Sequence, residues 1–470
     1  MFAAKTDRTL IIFKEESLMS FAYETAIDRM YALGHELSQT PSQKFDLAHM
    51  RTLLGALGNP ERRYPSVLIA GTNGKGSTAA TLASILQAAG LKTALYTSPH
   101  LIRLNERIRI NGEQISDDDF ARLHAKVDDA AERLVSQGAL PWHPSFFEML
   151  TAIGFQYFAD RNIDIAVLEV GMGGRLDATN VVDPRLAIIT DISLDHQKYL
   201  GDTVTEIARE KAGIIRPDGI VIALPQQPEA NDVIGNVSIE LNARAISAVP
   251  FVPPVSPASE SVLARTNEGQ IISRYPLSVL GQEILIETPL IGRHQLRNVA
   301  LAIAAAEELY RQGFPITPAA VAEGVRDTRW PGRLQVIAAK DGSPEYLLDV
   351  AHNPAGAWAL RSALSALYED RKITFVFGAM RDKAIRDIAE ILFPLAERVI
   401  ATPINNPRSA TAEEIREAAA RISSDIEAAA DTVSALQRAQ ATTPKDGVIV
   451  VTGSVYLVGE AMQALNLRIA

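Results

Sequence analysis

The feature that most constrains the fold of this chain is a glycine-rich segment that follows an apolar run and precedes a helix-forming run. Residues 67–78 read Val-Leu-Ile-Ala-Gly-Thr-Asn-Gly-Lys-Gly-Ser-Thr. The pattern predicts a buried strand, a tight turn and then a helix over Ala79–Ala89. Backbone N–H groups of such a turn, the positive end of the helix dipole and the Lys75 ammonium all favour an anion at one place. The segment therefore predicts a site for phosphate groups.

The turn departs from the common P-loop pattern G-x-x-x-x-G-K-[ST]. Its first glycine is too close to the lysine, and Gly76 separates Lys75 from Ser77. The simpler interpretation is a structural turn with an incidental lysine. Three glycines, an asparagine, a lysine and a serine within residues 71–77 favour the phosphate site.

Composition narrows the class of protein. A chain of 470 residues is expected to form two or three domains. Its net charge of −10 argues against nucleic acid as a partner, and the lack of cysteine excludes disulfides and thiolate metal sites. No apolar run approaches the roughly 20 residues of a membrane span. Residues 1–20 do not resemble a secretory signal, so we expect a cytoplasmic protein with a candidate disordered extension and Met19 as an alternative start.

Alternating strand-like and helix-like runs predict an α/β fold. We expect a mostly parallel, P-loop-type sheet with helices on both faces and a smaller Rossmann-like C-terminal domain. The predicted boundary near Arg329 gives a domain at 1–328, which contains the phosphate turn, and a second domain at 329–470. Residues 270–275 and 283–287 are predicted to form short antiparallel strands, and the proline-rich residues 249–257 an exposed loop.

Polar residues that follow predicted strands are candidate ligands, because open α/β sheets bind ligands at the carboxyl ends of their strands. Ser98 carries a hydroxyl that suits Mg²⁺, although Ser-Pro alone is an ordinary turn. Glu169 ends an apolar strand and needs a cation or a partner such as Arg175. His196 could ligate or orient a second cation, although a lone histidine is more often a packed residue.

Two further residues and one further run are weaker candidates for the site, because each has an ordinary structural explanation or a less specific pattern. Lys211 lies near the end of a predicted helix, where a cation simply favours the dipole. Asn298 begins a long alanine-rich helix and could contact a base or ribose. The run Asp349-Val-Ala-His352-Asn353-Pro354 again follows a strand and precedes a helix.

Together these motifs resemble the folylpolyglutamate synthase/dihydrofolate synthase family of the Mur ligase superfamily. The resemblance covers nearly the whole chain and rests on these segments: G-T-N-G-K-G-S at 71–77, S-P-H-L at 98–101, L-E-V-G-M-G-G-R-L-D-A-T-N at 168–180, L-D-H at 194–196, and D-V-A-H-N-P at 349–354. One departure is at 381–384, where a further aspartate is expected after Lys383.

The resemblance implies a role for each motif. It implies that ATP is bound by Gly74, Lys75, Gly76, Ser77, Asn298, Arg333 and Asp349. Mg²⁺, with two ions expected, would be bound by Ser98, Glu169 and His196. The pterin part of dihydropteroate would be bound by Ser145, Phe146, Phe147, Leu176, Asp177 and Ala178. Lys75, Lys211 and His352 would be catalytic, with Lys211 carried as a carbamate, and a monovalent cation is a further candidate cofactor.

The reaction implied is ATP-dependent amide formation between a pteroyl carboxylate and L-glutamate through an acyl phosphate. His352 is the candidate group for the incoming glutamate. We expect a monomer that acts on small molecules only. Two alternatives stay open at this point: a Mur-type ligase of cell-wall synthesis, which shares the phosphate turn, and a non-catalytic P-loop nucleotide-binding module.

Overall fold

The protein is described by a computed structural model over residues 21–34, 46–254, 263–265, 271–339, 342–422 and 425–467. The predicted extension at 1–20, with Met19, lies outside the described residues, as do residues 255–257 of the proline-rich stretch. No helix in the described ranges is long and apolar enough to cross a membrane.

An eight-stranded sheet organises the first two-thirds of the chain, in the order β4-β3-β2-β5-β1-β6-β7-β8. Its strands are β1 Ser66–Ala70, β2 Thr93–Tyr96, β3 Ile108–Ile110, β4 Glu113–Gln114, β5 Ile165–Glu169, β6 Leu186–Ile189, β7 Ile220–Ala223 and β8 Arg244–Ser247. Six neighbouring strands of this order are parallel, namely β2, β5, β1, β6, β7 and β8, and β3 and β4 are added antiparallel beside β2. The central strands are fully buried because both faces are covered.

Helices cover both faces of this sheet. They are α1 at 21–32, α2 Leu47–Ala56, α3 Lys75–Ala88, α4 Asp117–Ser136, α5 Phe146–Asp160, α6 Gln197–Leu200, α7 Val204–Ala212, α8 Pro228–Glu240, α9 Arg293–Arg311 and α10 Pro318–Arg326. Leu68 packs with the cluster that includes residues of α2, α4 and α5, whereas its neighbours Val67 and Ile69 pack with that of α3, α9 and α10. Successive residues of β1 thus face opposite helical layers, as the pleat requires.

A small antiparallel sheet precedes α9. It contains β9 Leu263–Arg265, β10 Ile271–Val279 and β11 Gln282–Thr288. This confirms the antiparallel pair expected from the sequence. Buried residues alternate along β10, which is typical of a sheet with one covered face.

A second sheet of six strands is built from residues 335–452 in the order β12-β13-β17-β14-β15-β16. Its strands are β12 Gln335–Ile337, β13 Glu345–Leu348, β14 Ile373–Phe377, β15 Arg398–Ala401, β16 Ile426–Ala428 and β17 Val448–Thr452. All neighbours are parallel except β12 and β13. The helices are α11 Pro354–Leu367, α12 Ile385–Leu392, α13 Ala412–Ala419, α14 Thr432–Thr442 and α15 Val455–Ala464. The predicted domain boundary near Arg329 stays a prediction.

Several local predictions were wrong. Helix α3 begins at Lys75 rather than Ala79, because Gly74 takes the left-handed conformation at the N-cap and the Thr78 N–H already donates to its carbonyl. Residues 249–251 form a short 3-10 helix rather than a loop; Val249 and Pro250 are exposed as predicted, but Phe251 is buried. No strand was predicted at β3, β4, β8, β9 or β16; all five have two to four residues.

Candidate nucleotide and acceptor site

The phosphate turn joins β1 to α3 through two positions that only glycine fits. Gly71 has φ of 153° and a Cβ there would lie 1.8 Å from Thr190 Oγ1. Gly74 has φ of 91°, and its Cβ would lie 2.2 Å from Asn298 Oδ1. Both glycines therefore permit a left-handed backbone and close approach of neighbouring chain.

Gly76 has a different reason to be glycine. It lies inside α3 with an ordinary helical conformation, but a Cβ there would lie 2.6 Å from Cζ2 of Trp330. Trp330 comes from the segment that leads into the second sheet. The residue that separates Lys75 from Ser77 is thus small because an indole ring packs over the start of the helix.

Two lysines converge on one carbonyl of the turn. Lys75 Nζ donates to the carbonyls of Gly71 at 3.2 Å and Thr72 at 3.3 Å, and Lys211 Nζ donates to Gly71 O at 2.8 Å. Burial, with the positive charge of Lys75, lowers the pKa of Lys211 to about 7. Lys211 lies in the last turn of α7, as predicted, but it is buried and faces the turn, so a favourable position near the helix end does not account for it alone.

The predicted metal-binding residues Ser98 and Glu169 lie side by side. The Ser98 N–H donates to Glu169 Oε2 at 3.1 Å. Burial raises the pKa of Glu169, although Lys75 and the Ser98 N–H oppose that shift. The alternative partner of Glu169 is wrong, because Arg175 pairs with Glu210 at 2.8 Å instead.

His196 stands beside the turn in a left-handed conformation with φ of 53°. That conformation is uncommon for residues other than glycine and often marks a functional position. Burial lowers the pKa of His196 to about 3, opposed by Asp195 and reinforced by Lys383 and His352. The imidazole is therefore neutral at pH 7 and has a nitrogen lone pair to offer.

Asp195 connects this edge to the second sheet. Its carboxylate lies 2.7 Å from Lys383 Nζ and 3.6 Å from His352 Nε2, and it accepts a hydrogen bond of 3.1 Å from Asn353 Nδ2. Burial opposes ionisation of Asp195, but its contacts with His352, His196 and Lys383 hold its pKa below the usual range. One carboxylate of the first sheet thus meets three side chains of the second.

Asn353 extends that contact to the phosphate turn. Its side chain caps α11 by accepting from Gly356 N at 2.8 Å and donates to Asn73 Oδ1 at 3.0 Å. Asn73 is itself held to the end of β6, where its N–H donates to Asp191 O at 3.1 Å. The start of α11 and the phosphate turn are therefore joined by a direct hydrogen bond between side chains.

The three other predicted nucleotide-binding residues are buried or half-buried around the same cleft. Asn298 donates to Gln295 Oε1 at 2.9 Å, and Asp349 accepts from the N–H groups of Leu334 and Ala351, both at 2.9 Å. Burial raises the pKa of Asp349, opposed by His294 and then by Arg333, and burial lowers the pKa of Arg333, opposed by the charges of Asp349 and Glu169. Arg333 and Asp349 both line the cleft beside the turn.

One cleft of about 590 Å³ brings the predicted ATP, metal and catalytic residues together. This volume is within the ~300–1,000 Å³ typical of small-molecule sites. Its lining includes Gly74, Lys75, Gly76, Ser77, Ser98, Glu169, His196, Lys211, Asn298, Arg333, Asp349 and His352. Ser77 also presents a buried hydroxyl with no hydrogen-bond partner among the described residues.

A second, more apolar cavity adjoins this cleft. All six residues predicted to bind the pterin line it: Ser145, Phe146, Phe147, Leu176, Asp177 and Ala178. Asp177 also holds the neighbouring glycine-rich loop, because it accepts from Met172 N at 3.0 Å and Thr179 N at 2.9 Å. Burial raises the pKa of Asp177, opposed by these hydrogen bonds and by that of the Thr179 hydroxyl.

The two cavities share part of their walls. Ser98, His196 and His352 line both, together with Pro99, Gly171, Met172 and Val455. A molecule in the apolar cavity can therefore reach groups that also face the phosphate turn. This junction is the chemical centre of the arrangement.

Sequence reasoning missed several residues of the junction. Asn73, Asn353 and Lys383 have contacts that depend on how the two sheets meet, and no local pattern reports such contacts. Trp330 could have been noticed, since Trp-Pro-Gly directly precedes the second series of strands. Arg297, which pairs with Asp191 at 2.7 Å, lies in the noted segment that begins α9.

Comparisons with known proteins agree with this arrangement. Residues 123–306 match the family model of the Mur ligase middle domain, and residues 332–455 match that of the Mur ligase glutamate ligase domain. The chain is 34% identical over 429 residues to the dihydrofolate synthase/folylpolyglutamate synthase of Bacillus subtilis, with 89% of this chain and 95% of the relative covered.

Two solved structures show the same fold. The folylpolyglutamate synthase of Mycobacterium tuberculosis complexed with ADP has a TM-score of 0.82 and 32% identity, covering 96% of this chain and all of that one (100%). The Escherichia coli FolC protein in complex with DHPP and ADP has a TM-score of 0.77 and 29% identity, covering 94% of this chain and 97% of that one.

Proposed function

Because this chain belongs to the folylpolyglutamate synthase/dihydrofolate synthase family of Mur ligases, we propose how its own residues carry out ATP-dependent ligation of L-glutamate. The acceptors are dihydropteroate, folates with a glutamate tail, or both. The two alternatives considered from the sequence, a cell-wall ligase and a non-catalytic module, are not retained. The relatives in Bacillus subtilis and Lacticaseibacillus casei are named as folate synthases, and residues 332–455 match a glutamate ligase domain.

The observation that carries the proposal is the shared wall of the two cavities. An acceptor with its pterin ring in the apolar cavity would direct its carboxylate, at the other end of the molecule, towards Ser98, His196 and His352, which also face the phosphate turn. Such placement makes the encounter of carboxylate and γ-phosphate effectively intramolecular, which is worth several kcal/mol (~7–11) in well-oriented systems.

In the first step an oxygen of the acceptor carboxylate attacks the γ-phosphorus, and the bond from that phosphorus to the β-phosphate oxygen breaks to release ADP. Lys75 neutralises the charge that develops on the transferred group. The N–H groups at the start of α3 point at the same place, and Arg333 lines the same cleft. The turn itself needs no rearrangement, because its glycines are held against Thr190 and Asn298.

The residues present fit Mg²⁺. Ser98 and Glu169 offer oxygens, His196 offers a neutral nitrogen, and the unpartnered Ser77 hydroxyl is a further oxygen in the cleft. Mg²⁺ prefers oxygen ligands and usually keeps several waters while it also takes phosphate oxygens. Bound there, Mg²⁺ would offset phosphate charge during transfer.

In the second step the amine of glutamate attacks the acyl carbon, the bond from carbon to the phosphate oxygen breaks, and the amine loses a proton. His352 and Lys383 are the cationic or proton-carrying groups of the second sheet at this junction. His352 donates through Nδ1 to Val350 O at 2.9 Å, which leaves Nε2 facing Asp195 and the cleft. We assign these two residues to the glutamate carboxylates.

Lys211 is the candidate for carbamylation. Only a neutral amine adds CO₂, and the pKa of Lys211 is lowered to about 7 by burial and by Lys75. The ammonium first loses one proton, and addition of CO₂ then forms an N–C bond and releases a second. The two steps together convert a cation that Lys75 repels into an anion that Lys75 attracts. Monomeric state, cytoplasmic location and use of a monovalent cation stay predictions.

The test is ATP-dependent glutamate incorporation with dihydropteroate and tetrahydrofolate as parallel acceptors. We expect ADP release only when an acceptor and glutamate are both present. Lys75→Ala should lower turnover by about a hundredfold to a thousandfold, the effect of losing one preorganised charge. Its fold should persist, as judged by circular dichroism. Wild-type turnover by this variant, or ADP release without acceptor, would refute the assignment.

A further inference from the structure

A buried ion pair stands behind the wall of the acceptor cavity. His49 of α2 and Glu148 of α5 lie 2.9 Å apart, from Nδ1 to Oε1, and their side chains are 7% and 13% exposed. Glu148 itself lines the cavity, next to Ser145, Phe146 and Phe147. None of the sequence motifs includes His49.

Glu148 organises the first turn of α5. Its Oε2 accepts from the Ser145 N–H at 2.8 Å and the Ser145 hydroxyl at 2.7 Å, and Ser145 Oγ accepts in turn from the Glu148 N–H. This reciprocal cap fixes where the helix begins. It therefore fixes the three residues that face the cavity.

His49 bonds to two acceptors at once. Nδ1 faces the Glu148 carboxylate, and Nε2 lies 3.1 Å from the carbonyl oxygen of Trp142. Burial alone would raise the pKa of Glu148, but the hydrogen bonds from His49 and Ser145 bring it below its usual range. Since an ionised carboxylate and a carbonyl only accept, both ring nitrogens of His49 must carry protons.

His49 thus connects three pieces of the cavity wall. It belongs to α2, whose neighbouring residues Leu47 and Met50 line the cavity, and it bonds to α5 and to the loop before α5. Its ring also stacks on Trp142, with centroids 5.6 Å apart and planes at 23°. Loss of either hydrogen bond of His49 would disconnect α2 from α5 or from the loop before it.

We propose that His49, as an imidazolium, and Glu148 are positioning residues that hold the acceptor cavity in its binding shape, so that affinity for the pteroyl acceptor depends on the proton of His49. The inference rests on the proposed function of this cavity. A neutral imidazole carries one N–H and can satisfy only one of the two acceptors. The ATP cleft contains neither residue, so ATP binding should be independent of this pair.

The direction of the pH effect follows from the groups that act on His49. Hydrogen bonding to Glu148 raises the pKa of His49, burial opposes it, and Glu148 and Asp46, the charged groups of α5 and of the start of α2, add to the rise. The interaction is complete below the ordinary histidine pKa of ~6.5 and is lost as pH rises through the raised value.

The experiment measures KM for dihydropteroate and for ATP from about pH 6 to about pH 9, a range that starts near the ordinary histidine pKa. In the wild type, KM for dihydropteroate should rise with pH while KM for ATP does not follow it. In His49→Gln and Glu148→Gln the acceptor KM should be raised roughly tenfold or more at low pH, the cost of a hydrogen bond to a charged group. It should no longer change with pH in either variant, and kcat at saturating acceptor should stay close to wild type.

Arg51→Gln is the matched control, because it removes a positive charge from the exposed face of the same helix. It should keep the wild-type profile. A wild-type acceptor KM that is independent of pH, or the same rise in His49→Gln, would overturn the inference while product formation leaves the proposed function standing. A wild type that forms no amide product overturns both. If His49→Gln does not fold, the wild-type profile and Glu148→Gln still decide.

Discussion

Replacement of Gly76 by alanine tests why this phosphate turn differs from the common pattern. Gly76 lies in the first turn of α3 with a helical backbone, so the backbone itself accepts alanine. The added Cβ would lie 2.6 Å from Cζ2, 3.0 Å from Cε2 and 3.1 Å from Nε1 of Trp330. Either the indole or the start of the helix must move.

The magnitude follows from two opposing effects. Alanine is favoured over glycine in a helix by about 1 kcal/mol. Overpacking of a well-packed site costs about 1–3 kcal/mol. The net loss of unfolding free energy for Gly76→Ala is therefore about 0–2 kcal/mol, and KM for ATP should rise because the displaced groups form the turn.

Gly235→Ala is the matched control. Gly235 lies inside helix α8, also with an ordinary helical backbone, and a Cβ there meets nothing within 4 Å. This change should stabilise the protein by up to about 1 kcal/mol. Thermal unfolding should thus separate the two variants by about 1–3 kcal/mol, at about 2–4 °C per kcal/mol for domains of this size.

A double-mutant cycle with Trp330→Leu isolates the contact. If the indole is the obstacle, Gly76→Ala should cost less in the Trp330→Leu background than in the wild type, with a coupling of about 0.5–3 kcal/mol. Equal stabilities for Gly76→Ala and Gly235→Ala, together with an unchanged KM for ATP, would refute the explanation of this glycine.

Three further predictions concern the junction. Lys211→Ala should lose activity that formate or acetate partly restores. Wild-type activity should fall as pH drops through about 7, because protonated Lys211 cannot carry CO₂. Normal activity of the alanine variant, or the lack of a carbamate signal from ¹³CO₂ by NMR, would contradict the carbamate role of Lys211. Asp195→Asn and Lys383→Met should each raise KM for glutamate, with a coupling of about 0.5–3 kcal/mol in kcat/KM because the pair is 2.7 Å apart; strict additivity contradicts it. Asp349→Asn should raise KM for ATP by roughly tenfold, because the carboxylate that accepts from the N–H groups of Leu334 and Ala351 loses its charge, and an unchanged KM would show that this carboxylate does not serve the nucleotide.

Much of the fold could be predicted because the strands that form the sheet centres are buried on both faces and read as continuous apolar runs. Thr93–Tyr96 and Val448–Thr452 are examples. The short strands β3, β4 and β8 do not contain such a continuous apolar run. The start of α3 was missed because the lysine and serine of the turn look like loop residues, although Gly74 lets the helix begin directly after it.

The candidate site could be predicted where a residue type and a strand end coincide, as at Glu169 and Asp349. Lys211 shows the limit of that reasoning. Its position near a helix end has an adequate local explanation, and only the packing of α7 against the turn reveals a buried ammonium 2.8 Å from Gly71 O. Without the resemblance to a family, the sequence would have left this lysine as a cation that favours the dipole of its helix.

The junction also explains why two sheets are needed for one reaction. The phosphate turn can bind a nucleotide alone, but its Asn73 amide is shared with Asn353, and Asp195 of the same edge holds Lys383. The contact between the two sheets thus pairs the buried Asp195 carboxylate with Lys383 and brings His352 beside it. Since contacts with His352, His196 and Lys383 hold the pKa of Asp195 below its usual range, the carboxylate stays ionised and paired in the same arrangement that places His352 in the cleft. Acyl phosphate is consequently formed where the amine site is already assembled, which limits its loss to water.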